Sequence, residues 1–165
     1  MNYMSLQAGD SIYVPADSIH AYLSGDIIEC MARSNNVLNT GFCPRADRDS
    51  IDTFVGTLTF SPHDKDEASL KPKAFPRSKK GKTKVYSPPM AEFDMLATEV
   101  GAGETEVIEK IEGPSIMIMT KGKGKLKAGG DSYELSEGYI FFVGAGVETE
   151  YIADQDLQLF RAFAE

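Results

Sequence analysis

Apolar positions follow three different patterns along this chain. Over residues 1–20 they form two short runs, Met4 with Leu6 and then Ser11 to Val14, parted by Ala8-Gly9-Asp10 and closed by Pro15, which predicts strand, turn, strand. In DRDSIDTFVGTLTF, Ile51, Phe54, Val55 and Leu58 recur at i, i+3, i+4 and i+7, and acidic residues crowd the start, where a helix dipole favours them. That spacing predicts a short amphipathic helix of about three turns, which Pro62 prevents from continuing. From Phe93 onward, short segments rich in Val, Ile, Phe and Tyr are punctuated by Gly101, Gly103, Gly113-Pro114, Gly129-Gly130, Gly138 and Gly144, the pattern of an all-β unit. Ser115 to Met119 reads as a buried strand, Lys121 to Lys127 as a half-exposed one, and Gly129-Gly130 as a hairpin turn. Leu157, Leu159, Arg161 and Phe163 alternate with Gln158, Phe160 and Ala162, predicting a last strand with apolar contacts on both faces.

Between the helix and the β unit the apolar residues thin out and prolines multiply, so residues 61–84 are expected to be an irregular linker. Its second half, 71–84, holds seven basic residues and no acidic one, which reads first as a solvated basic loop and second as a holder of phosphate or a polyanion. An ungapped internal repeat ties the two ends of the chain together. LQAGDSIYVPA at 6–16 aligns on LSEGYIFFVGA at 135–145, and the same offset sets Thr149 opposite His20 and Tyr151 opposite Tyr22. Two related β units are therefore expected, the first with a histidine at the repeated position and the second with a hydroxyl, a poor zinc ligand.

Composition narrows the classes. The 165 residues are 42% hydrophobic and 25% charged, enough for one or two small cores. A formal charge of -8 argues against nucleic acid or an anionic membrane as the principal partner. No run approaches the roughly 20 apolar residues of a membrane span, and MNYMSLQAGD has neither the basic nor the apolar part of a signal peptide, so a cytoplasmic protein is expected. Cys30 and Cys43 are too few for a disulfide scaffold and read as thiols.

The spacing Gly9, five residues, Pro15, four residues, His20 resembles the second motif of cupin barrels, with Asp17 standing where many cupins have Gly. The stretch from His20 to Arg45, HAYLSGDIIECMARSNNVLNTGFCPR, resembles the long signature of type I mannose-6-phosphate isomerases. His20, Ala21, Tyr22, Gly25, Glu29, Met31, Ala32, Ser34, Asn36, Gly41, Phe42 and Pro44 fall in register with it. Four positions depart: Asn35 stands for Asp, Asn39 for Arg, Cys43 for Thr and Arg45 for Lys.

The resemblance implies an all-β cupin, or jelly-roll barrel, with one short connecting helix. Residues 1–60 would be the terminal strands of the catalytic cupin plus that helix, 61–84 the basic linker, and 85–165 a second cupin-like domain without metal ligands. It implies the C-terminal part of a zinc enzyme that interconverts mannose 6-phosphate and fructose 6-phosphate. His20 would be one of four zinc ligands, Glu29 and Asn39 the catalytic pair, and Tyr22, Asn35 and Arg45 contacts to the sugar phosphate. The family's other three ligands, a Gln and a His close together and a Glu, have no counterpart here; the only other histidine, His63, sits beside Pro62. This chain alone is therefore expected to hold zinc weakly and to be inactive, its unpaired first strands driving a homodimer. The alternative is a non-catalytic cupin that binds a sugar or a protein partner.

Overall fold

The computed structural model describes residues 2–33 and 37–165 and divides into two compact units, Met1–Leu70 and Lys71–Glu165. None of its helices is long and apolar enough to cross a membrane. Among the described residues all the strands, ten of them, lie in the second unit, in two antiparallel sheets.

The six-stranded sheet runs β1 (Lys73–Ala74), β2 (Thr83–Tyr86), β3 (Asp94–Val100), β10 (Leu157–Phe163), β5 (Ser115–Lys121), β8 (Ile140–Val143). The four-stranded sheet runs β4 (Thr105–Ile108), β9 (Thr149–Ala153), β6 (Lys123–Ala128), β7 (Asp131–Ser136). This is the cupin jelly roll: two sheets whose inward faces enclose one core. Period-2 alternation decides what is inside. Leu96 and Val100 of β3, Met117 and Met119 of β5, Leu126 of β6, Tyr151 of β9, and Leu157, Leu159 and Phe163 of β10 are all buried in that core. The intervening residues of β10 are only half-buried.

Turn chemistry fixes the registers. Gly129 and Gly130, both at positive φ, close the β6–β7 hairpin with Ala128 facing Asp131, the two-residue turn that such a pair of glycines favours. Gly122 is held at φ 88°, and a Cβ there would lie 2.1 Å from the Asp156 carbonyl, beside the register shift at Gln158/Leu159. Only glycine admits that approach.

The basic linker expected over 61–84 is not what the structure shows. Its first half contains a four-residue helix, α2 (Lys65–Ala68), a second helix where one was expected, and its second half belongs to the β unit. Lys73 pairs with Val85 and Thr83 with Thr98, and the segment from Arg77 to Lys82 lies along β4 through Lys79 N–H to Val107 O and Glu109 N–H to Arg77 O. Three of the seven charges are met locally: Arg77 meets Glu165 with both terminal guanidinium nitrogens, Lys79 meets Glu148 at 2.9 Å, and Lys82 meets Glu104. A lysine-rich sequence reads as solvated only when its backbone has no sheet to join.

The first unit differs from expectation in the other direction. In place of the strands expected over 1–35, the described residues 2–33 have an isolated bridge from Ile12 to Ser69, framed by Tyr13 N–H to Ala68 O and Leu70 N–H to Ser11 O, each 2.8 Å. Helix α1 (Ile51–Thr57) is capped by Ser50, whose hydroxyl accepts from Thr53 N–H, and spans two turns rather than three. Phe54 and Leu58 are half-buried, whereas Ile51 and Val55 face outward. No described residue of this unit is fully buried.

The internal repeat survives in the backbone. Asp10 N–H donates to Gln7 O and Tyr139 N–H to Ser136 O, the same turn at equivalent positions, with Gly9 and Gly138 both at positive φ.

Candidate functional site

Three of the residues singled out in the sequence come together in the first unit. The chain bends at Ser24 and Gly25, the latter at φ 111°, and returns Glu29 towards Tyr22, whose phenol donates to Glu29 Oε1 at 3.2 Å. The His20 ring stands edge-on to the Tyr22 ring with centroids 5.7 Å apart. His20 Nδ1 lies 3.2 Å from the Ser18 carbonyl. Because a carbonyl can only accept, Nδ1 is the donor in that contact, and in the neutral ring with that tautomer the lone pair lies on Nε2. Upstream, Asp17 has φ 61°, the left-handed conformation natural to the glycine that many cupins carry there. Partial burial, and then the Glu29 carboxylate, raise the Tyr22 phenol above its ordinary value. The result is an exposed row of imidazole, phenol and carboxylate able to hold a polyhydroxyl ligand and pass a proton.

The other candidates sit differently. Asn39 is pinned through its backbone, its N–H donating to Asp49 Oδ2 at 2.6 Å and its carbonyl accepting from Asp49 N–H at 2.8 Å. Arg45 opens an exposed single turn of 3-10 helix, Arg45–Asp47. Asn35 lies outside the described residues. Both cysteines are half-buried free thiols, and burial pushes the Cys30 thiol up, which keeps it protonated and a poor metal ligand. Among the described residues no group of three or more His, Cys, Asp or Glu side chains could hold a metal ion. A zinc site takes four donors, so His20 supplies one imidazole and the chain's own residues do not fit the metal unaided.

Two buried polar residues of the second unit escaped the sequence reading. Glu106 of β4 is fully buried and accepts from Ser78 Oγ (2.7 Å) and from the backbone N–H groups of Lys80 (3.0 Å), Lys82 (2.6 Å) and Val107 (2.8 Å). Arg161 of β10 is 1% exposed and lies across from Thr149 and Tyr151, the repeat counterparts of His20 and Tyr22. The signal for Arg161 was available: a cation on the same face as Leu157, Leu159 and Phe163 must go inside.

The chain is similar to known proteins over its whole length. The profile of the phosphomannose isomerase type I C-terminal family matches residues 85–131, and that of the AraC-like ligand binding domain matches 113–161. The mannose-6-phosphate isomerase of Cryptococcus neoformans var. neoformans serotype D is 40% identical over 165 residues, covering all of this chain and 37% of that protein. The enzyme of the same name from Candida albicans is 40% identical, covering all of this chain and 40% of its own length. Among solved structures, a cupin 2 conserved barrel domain protein from Rhodopseudomonas palustris is 14% identical at TM-score 0.45, covering 50% of this chain and 59% of its own. The chain spans about two fifths of the curated relatives it matches. Over its whole length the chain is similar in sequence to part of the mannose-6-phosphate isomerases, and residues 85–131 match the C-terminal family of the type I phosphomannose isomerases.

Proposed function

We propose that this chain supplies the C-terminal part of an isomerase interconverting mannose 6-phosphate and fructose 6-phosphate, acting with a complementary N-terminal region. The observation that carries the reading is the His20–Tyr22–Glu29 row, within a chain matched end to end at 40% identity. Interconversion moves a proton between C1 and C2 of the sugar, which calls for a base beside the carbon and stabilisation of the enediolate oxygen. Glu29 is the base in this scheme. The Tyr22 phenol, hydrogen-bonded to it, orients the carboxylate and offers its ring to the sugar. His20 Nε2 would be one ligand of a zinc ion whose other ligands would come from the N-terminal region, and the metal would supply positive charge to the enediolate. Asn39 weakens the site, since an amide offers a hydrogen bond about half as strong as a charged donor gives.

A second reading, a cupin that binds sugar without turning it over, is favoured by that same Asn39. One experiment separates the two. The chain is fused behind the N-terminal region of the Cryptococcus relative and assayed for conversion of mannose 6-phosphate. The enzyme reading expects zinc-dependent turnover that falls by about 10²-fold or more in E29Q and rises in N39R. A folded fusion that binds the sugar phosphate but turns over neither as made nor with N39R establishes the binding module instead.

A further inference from the structure

We propose that the interior of the second barrel is a binding site for one small monovalent anion, held by Arg161. The proposal stands on the second unit alone and is independent of the isomerase reading.

Arg161 enters from the centre of the six-stranded sheet, on β10 between Leu96 of β3 and Met117 of β5. Its guanidinium donates from Nε to Ser115 Oγ at 2.8 Å, and from Nη1 to Thr149 Oγ1 at 3.0 Å and Tyr151 Oη at 3.5 Å. All three partners are neutral, and all are 3% exposed or less. None of the ion pairs among the described residues includes Arg161. Its Nη2, fully buried, has no acceptor among the described residues. The surrounding hydroxyl protons are already committed. Ser115 donates to the Val143 carbonyl, Thr149 donates to Tyr151, and Tyr151 donates to Met117 Sδ at 3.6 Å. What remains is a buried positive charge with the two N–H donors of Nη2 unmatched among the described residues.

Two properties of that remainder select the ligand. A guanidinium carries a permanent charge in proteins, and a buried charge without a counter-charge is strongly penalised by the loss of its hydration. Water would satisfy the N–H groups without cancelling the charge, so the complement is an anion. Leu96, Met117 and Tyr151 are each fully buried around the guanidinium, so the anion is small and monovalent, of halide or nitrate size rather than a sugar phosphate. The charge also explains why the hydroxyl of Thr149 stands where the repeat sets a histidine in the first unit: a second basic group beside Arg161 would add to an uncompensated charge.

The test uses the full chain at constant ionic strength, exchanging bulky gluconate for chloride or bromide while thermal unfolding is followed. The thermal midpoint of the second unit should rise saturably, on the order of 5 °C at a halide concentration about tenfold above its Kd. R161M and R161Q should abolish the halide-specific rise, leaving only the response common to all salts. Crystals grown in bromide should show an anomalous peak at hydrogen-bonding distance from Nη2, a readout that needs no variant to fold. An equal response to gluconate and bromide, or a bromide crystal with water in contact with Nη2, would overturn the proposal.

Discussion

Replacing Glu106 by Gln changes one atom and tests how the basic segment is held. Each carboxylate oxygen accepts two hydrogen bonds, Oε1 from Lys80 and Val107 N–H and Oε2 from Ser78 Oγ and Lys82 N–H. An amide can present only one oxygen, so its NH2 must face two donors, whichever way it is turned. The Ser78 hydroxyl can rotate to accept, but a backbone N–H cannot. Hydrogen bonds to a charged group are worth about 1.5–3 kcal/mol each, and a buried donor left without an acceptor costs about 1–3 kcal/mol. With the NH2 on the Ser78 side that bond reverses, the Lys82 bond is lost and its N–H is orphaned, so a destabilisation of about 2–5 kcal/mol is expected for E106Q. E106A should be at least as damaging, because it orphans three backbone N–H groups at once. Against a total stability of about 5–15 kcal/mol this is a large fraction. The assay is equilibrium urea unfolding followed by tyrosine fluorescence, the chain having no tryptophan. An E106Q midpoint within about 1 kcal/mol of the parent at unchanged m-value would show that the loop's registry does not depend on this carboxylate.

Two further expectations rest on the same coordinates. The Arg77 guanidinium, helped by Glu112 N–H, lowers the Glu165 carboxyl to about 2. A depressed folded-state value means stability that is present above the ordinary carboxylate range and lost as pH falls from about 4.5 towards 2; E165Q should flatten that part of the pH profile of the urea midpoint, and an unchanged slope would contradict it. In the first unit, Leu23, Ile27, Ile28 and Met31 are exposed and no described side chain is fully buried, so this unit is expected to associate with a second copy. Sedimentation at micromolar concentration should then show species heavier than one chain, and a strict monomer with slow amide exchange throughout residues 2–33 would sink the idea.

What could be read from the sequence was whatever local pattern alone determines. Gly129-Gly130 dictated its hairpin, Ser115 to Met119 its buried strand, and the spacing of Ile51, Phe54, Val55 and Leu58 its helix, because turn geometry and hydrophobic periodicity are properties of a few consecutive residues. The misreadings share a cause. Strand formation depends on a partner, so the apolar runs at 4–6 and 11–14 looked like strands yet yielded one isolated bridge, whereas Lys71 to Lys84 looked like a linker yet joined a sheet. Glu106 was invisible because a carboxylate in Thr-Glu-Val-Ile reads as outward-facing until a hydroxyl and two N–H groups from a distant loop converge on it. At the candidate site, Tyr22 and Glu29 were chosen by resemblance and found hydrogen-bonded; the hydrogen bond itself has no signature in the string.

The position of β10 governs the order in which the second unit can assemble. It is the last strand in sequence, yet it lies between β3 and β5, with Leu157 facing Val100 and Phe163 facing Asp94. During synthesis β3 and β5 therefore emerge with the space between them unfilled, their hydrogen-bonding edges open and Leu96 and Met117 without a roof. Hairpins such as β6–β7 can close early on the ribosome, but the six-stranded sheet cannot close until residue 163 has cleared the exit tunnel. Folding should then be nearly all-or-none and slow for the unit's size, as non-local pairing requires. A nascent chain stalled before Leu157 presents two apolar strand edges to any chaperone waiting there.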